Sequence, residues 1–130
     1  TAVSKAIERQ TWRYNDLSGA YVGLSLYTQP DCLVGGPFPP QALPSNIRIV
    51  HSDSSIAMSF VDSFQACTYT GTYVQAGKFG SASGNFTCDS GKVGTFTATE
   101  IEANRFAVTG KFTRRIDACS LDSRFAAVIN

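Results

Sequence analysis

Charge is what this chain most conspicuously lacks. Asp, Glu, Lys and Arg make up 16% of its 130 residues, against ~25% in an ordinary soluble domain. The net charge is only +1. No field of one sign exists to gather a nucleic acid or an anionic membrane surface. Histidine is reduced to His51 and tryptophan to Trp12, and none of the four cysteines stands in a C-x-x-C pair. A zinc site is therefore not expected, and neither is a cofactor: no glycine-rich phosphate loop precedes a helix. No apolar run approaches the ~20 residues a membrane-spanning helix needs. Proline is missing from most of the chain. Pro30, Pro37, Pro39, Pro40 and Pro44 all fall between residues 29 and 45. Proline cannot donate to a sheet ladder, so 29–45 reads as a long loop and the rest as uninterrupted sheet.

Ser, Thr and Gly fill the place of the missing charge. Five times a glycine, any residue and an aromatic follow one another: Gly19-Ala20-Tyr21, Gly71-Thr72-Tyr73, Gly84-Asn85-Phe86, Gly94-Thr95-Phe96 and Gly110-Lys111-Phe112. Positions two apart on a strand share a face, so each unit sets a gap beside a ring. Glycine weakens a strand unless the sheet bends or a second backbone comes close, and a neighbouring aromatic can cover it. Five such units indicate a tightly curved, closed sheet.

Period-two patterning places strands near 18–28, 46–52, 55–62, 65–76, 79–88, 92–101, 105–113 and 122–129, with a modest connection at 114–121. Residues 1–17 form an N-terminal arm or short helix ahead of a single domain, 18–130, with Trp12 as a plug for one barrel end. The fold class is all-β, an eight-stranded antiparallel up-and-down meander barrel. The central hairpin can be registered by hand. With Cys67 opposite Cys88, Tyr69 faces Phe86, Gly71 faces Gly84 and Tyr73 faces Ala82, and the large residues share one side. Cysteines directly opposite are close enough to bond. This register gives Cys67–Cys88 and leaves Cys32–Cys119, a pairing suited to an extracytoplasmic, periplasmic or secreted, compartment. Phe106, Val108, Phe112, Phe125 and Ala127 continue the ring-bearing face. Gly91 and Asn104 stand where three-residue hairpins need a left-handed residue. In the first strand, Tyr21 and Gly23 compete with Val22, Leu24 and Leu26 for the interior.

The Gly19-Ala20-Tyr21 unit opening the first strand and the long first loop resemble the calycin-type barrels. Lipocalins begin with a Gly-x-Trp in that place. Thr70-Gly71-Thr72-Tyr73 and Thr109-Gly110-Lys111-Phe112 are similar to a unit that avidin-type barrels repeat. The avidin-type biotin site has no counterpart, since Val22-Gly23-Leu24-Ser25 departs from it and the single Trp lies outside the strands. A lipocalin-like fold implies a small apolar cargo.

Candidate catalytic groups are sparse. His51, followed by Ser52-Asp53-Ser54-Ser55, sits in a polar turn where its neighbours face water rather than form a triad. Glu100 and Asp62 share the parity of inward residues and fall at barrel rims. Arg114-Arg115 reads as a solvated turn. Asn85-Phe86-Thr87 is a glycosylation sequon in mid-strand. No catalytic or metal residue is assigned, and the chain reads as no enzyme. The leading expectation is a binding protein holding a small apolar or amphipathic ligand in the barrel mouth beneath residues 29–45. Tyr21, Leu33, Phe38, Tyr69, Tyr73, Phe86, Phe96 and Phe112 would line it. The alternative is a protein-interaction module or inhibitor with a filled barrel, whose proline segment and N-terminal arm contact a partner. Room inside the barrel decides between them.

Overall fold

A computed structural model describes residues 16–29, 38–117 and 119–130. They form eight strands: β1 (Gly19–Gln29), β2 (Phe38–Ser52), β3 (Ser55–Val61), β4 (Ala66–Ala76), β5 (Phe79–Cys88), β6 (Val93–Ala103), β7 (Ala107–Ile116) and β8 (Cys119–Ile129). Each pairs antiparallel with the next, and β8 pairs with β1 to close the barrel. The closure is the eight-stranded up-and-down barrel that the glycine spacing implies.

The hairpin register worked out from the sequence is the register of β4 and β5, with Cys67 opposite Cys88 and Gly71 opposite Gly84. At the facing glycines the strands run so close that a Cβ on either would lie against the other strand's backbone. A ring from the adjacent strand covers the gap at others. Phe86 lies over Gly94 and Phe125 over Gly110, each directly across the ladder. At these two glycines the covering aromatic is a cross-strand partner, whereas at Gly19 it is Tyr21, two places on in the same strand. Curvature and core filling come from one device.

Three strands outrun the sequence pattern. β2 begins at Phe38 rather than at 46, and Pro44 sits opposite Leu24 of β1. It is tolerated because β2 meets β3 only from Asn46 onward. Before that point β2 has one neighbour, and an edge strand has room for residues that donate nothing on its open side. The connection placed at 114–121 is likewise mostly strand. β7 and β8 pair from Ile116 and Cys119 backward, and Asp117 takes a left-handed conformation in the tight turn.

Alternation then decides what faces inward. In β1 the odd set wins: Tyr21 and Ser25 are buried, whereas Leu24 and Leu26 are about half exposed. Glu100 does not follow the parity of Phe96. It takes a left-handed conformation where the β6–β7 register slips, which sends Ile101 inward and leaves Glu100 outside. Phe106 is also outside, 63% exposed, because it lies in the turn before β7. Asn104 caps that turn with its side chain, its Oδ1 accepting from the amides of Phe106 and Ala107. It does not adopt the left-handed conformation, which Gly91 does adopt in the preceding turn.

Candidate functional site

Within the barrel, Tyr69 is the hub of an aromatic cluster. Its ring centroid lies 5.3 to 5.6 Å from those of Phe60, Phe86, Phe96 and Phe112. Most contacts are edge-to-face, the geometry aromatic quadrupoles favour. The space among Met58, Phe60, Tyr69, Phe96, Ala98, Phe112 and Phe125 admits no water-sized sphere. Of the residues expected to line a ligand, Tyr21, Tyr69, Tyr73, Phe86, Phe96 and Phe112 do point into one interior, and they occupy it. Leu33 and the side chain of Phe38 lie outside the described residues, as do Trp12 and the rest of the arm up to residue 15.

One end of the barrel is plugged by residues just before β1. Leu17 is fully buried there. Its amide donates to Nδ1 of His51 at 3.1 Å, and its carbonyl accepts from the Tyr21 hydroxyl at 2.8 Å. Accepting at Nδ1 places the imidazole proton on Nε2, which donates to the Asp53 carbonyl at 2.8 Å. The ring also packs against Tyr73 with centroids 4.5 Å apart. His51 is therefore not in a solvated turn but is a buried strut, 8% exposed. The sequence places it among Ser and Asp residues, but Nε2 meets a backbone carbonyl rather than a hydroxyl. Asp16, outside this plug, has its carboxyl held below the usual range by hydrogen bonds from Ser18.

The opposite end is polar. Ser25 and Ser45 are buried and share a hydrogen bond of 3.1 Å. Arg114 is not in a solvated turn; it is 6% exposed and projects inward two residues after Phe112. Its Nη1 donates to the Tyr69 hydroxyl at 3.3 Å, and its guanidinium lies 5.7 Å from the Phe86 ring centroid and 6.0 Å from that of Phe112. Burial pushes the Tyr69 phenol up, and the nearby Arg114 charge opposes that rise. Asp62 reaches this rim, as its parity implies, and its Oδ1 accepts from the Phe64 and Gln65 amides. The Cys67–Cys88 disulfide joins β4 to β5 at the same end. Cys119 is also disulfide-bonded; Cys32 lies outside the described residues.

The most capacious concavity among these features is on the outside. Across β1, β8, β7 and β6, with one residue each from β2 and β5, a groove of about 540 Å³ is lined by Leu24, Leu26, Ala42, Phe79 and Ala126 and by the charged Glu100, Glu102, Lys111 and Arg124. Lys111 pairs with Glu100 at 2.9 Å. From the sequence, Leu24 and Leu26 are candidates for the interior and Glu100 falls at a rim, not in an outer groove. Its signal was the apolar even-numbered set of β1, which competes with Tyr21 for the core and loses. Among the described residues no cluster of His, Cys, Asp or Glu could hold a metal ion, and no helix is long and apolar enough to cross a membrane.

No protein-family model, curated protein or solved structure matches the chain.

Proposed function

We propose that this protein is a non-enzymatic, extracytoplasmic binding module that recognises a protein partner through its outer wall, with the barrel as a filled support. The observation that carries the reading is the contrast between inside and outside. The space among the core rings lacks room for a water-sized sphere, whereas the outer groove offers about 540 Å³ and the half-exposed side chains of Leu24 and Leu26. Interfaces combine apolar contact surface with a polar, charged surround, and the groove has both. Its cations and anions are mixed, which suits a partner segment with apolar side chains and little net charge. The Cys67–Cys88 bond is compatible with an oxidising compartment.

A small apolar or amphipathic cargo placed among Tyr69, Phe86, Phe96 and Phe112 would compete with rings that fill that space; the segment 30–37 expected above the mouth lies outside the described residues. Catalysis has no support from His51, whose two ring nitrogens are engaged by Leu17 and Asp53.

Native mass spectrometry of protein purified from its own source tests the reading. The expected spectrum contains a second protein chain, and that chain is lost from the Leu24→Asp/Leu26→Asp double variant while the barrel stays folded. A spectrum showing this chain with a bound small molecule and no protein partner would reject it.

A further inference from the structure

Among the described residues, Arg114 is a buried charge that forms no ion pair. Burying an ion is unfavourable unless a partner of opposite sign and hydrogen-bond acceptors replace its water. Around the Arg114 guanidinium the sequence supplies two aromatic faces, Phe86 and Phe112, and one phenol oxygen, that of Tyr69. Both described ion pairs, Lys78–Glu102 and Lys111–Glu100, lie elsewhere. The Arg114 Nε–H is buried without an acceptor.

A second orphan stands nearby. Ser123 Oγ is buried with no hydrogen-bond partner. Ser123 is opposite Phe112 in the β7–β8 ladder, and Arg114 is opposite Leu121, so both side chains enter the barrel from adjoining strands at one end. Together with Ser25, Tyr69 and Asp62 they line a cavity of about 20 Å³. That is enough for one water-sized occupant. The cavity is thus small, walled by rings, hydroxyls, the Asp62 carboxylate and the Gln65 amide, and two of its donors meet no acceptor among the described residues.

We propose that this end of the barrel holds one compact monovalent anion of halide size, bound between Arg114 Nε–H and the Ser123 hydroxyl. Its charge balances the buried guanidinium, and a single-atom ion is the kind of anion nearest to what a cavity of about 20 Å³ admits. The one carboxylate lining the cavity, Asp62, turns its Oδ1 to the amides of Phe64 and Gln65 and forms no ion pair with the guanidinium, so it is the ion's competitor for Arg114. The site is separate from the outer groove and does not depend on the protein-binding reading.

Bromide is the probe. In crystals of the intact protein soaked in sodium bromide, the expected result is one anomalous peak within hydrogen-bonding reach of Arg114 Nε and Ser123 Oγ. In solution, unfolding is followed in bromide and in the bulky anion gluconate at equal ionic strength. Bromide at about ten times its dissociation constant lowers the unfolding equilibrium constant about tenfold, and gluconate does not. Ser123→Ala, which keeps the charge and the fold, weakens the bromide effect; Arg114→Met abolishes it. A parallel titration with formate separates sources. An equal effect marks a site that also accepts a carboxylate group, and no effect marks a halide site. A water at the position with no anomalous signal, the Asp62 carboxylate on the guanidinium, or equal stability in bromide and gluconate would overturn the proposal.

Discussion

Replacing Gly84 by alanine perturbs the barrel where its walls are closest. The backbone at Gly84 is ordinary β-strand, so alanine meets no conformational barrier there. The obstacle is space. An added Cβ would lie 2.6 Å from Gly71 Cα and 2.9 Å from the Thr70 carbonyl carbon, and closer still to the Thr70 carbonyl oxygen. All three are backbone atoms of β4 and cannot rotate aside, so the strands themselves must part. Overpacking costs about 1–3 kcal/mol, and a rigid backbone neighbour points to the upper half of that range. Alanine also stiffens the unfolded chain, which offsets about 0.4–1 kcal/mol. The net expectation is a loss of about 2 kcal/mol, or a fall in Tm of roughly 6–10 °C for a domain of this size. Urea unfolding followed by circular dichroism measures it as a lower midpoint at unchanged slope. Gly91→Ala is the control: it has no heavy atom within 4 Å but a φ of +94°, so it reports conformational strain alone, about 1 kcal/mol. The double variant Gly71→Ala/Gly84→Ala should lose less than the sum of its parts, because one separation of the strands relieves both clashes. A Gly84→Ala protein within about 0.5 kcal/mol of the parent would refute the packing argument.

Three further outcomes follow from the same contacts. Cys67→Ala/Cys88→Ala opens a loop with a sequence separation of 21 residues and should cost about 3 kcal/mol on loop-entropy grounds; an unchanged urea midpoint would contradict this. His51→Ala strands the buried Leu17 amide and leaves a void against Tyr73, which should cost about 2–4 kcal/mol in the same assay. Burial raises the phenols of Tyr69 and Tyr21 above their ordinary range. The neutral phenol is therefore favoured in the folded state, its contribution is complete below the ordinary phenol range, and it is lost as pH rises through the folded value. Stability should fall in strong alkali with delayed phenolate absorbance, and Tyr69→Phe should flatten part of that fall; an identical alkaline limb in the variant would count against a buried phenol.

Much of the fold was legible because β4 and β5 keep a strict period of two and because opposed cysteines and glycines pin one register. What was not legible has physical causes. Proline was read as an absolute bar to pairing, yet β2 has a free edge beside Pro44, and a sequence does not announce which strand stops short. Glu100 was assigned by parity, and a single left-handed residue reverses parity without any glycine to mark it. Arg114 carries the inward parity of Phe112, but an arginine doublet resembles a turn until the partner strand is known to continue past it. His51 sits in a polar stretch, and its burial depends on Leu17, thirty-four residues away, folding back across the barrel end. The outer groove was hidden because Leu24 and Leu26 look like core until Tyr21 claims the interior.

Diffraction from crystals under xenon pressure tests most directly whether this protein works from its surface. Xenon enters apolar voids that water leaves empty. The account predicts no xenon among Met58, Phe60, Tyr69, Phe96, Ala98, Phe112 and Phe125, while a Phe112→Ala control takes up an atom at the space vacated by the ring. A well-occupied xenon in the parent interior would contradict it and return the barrel to the role of a carrier.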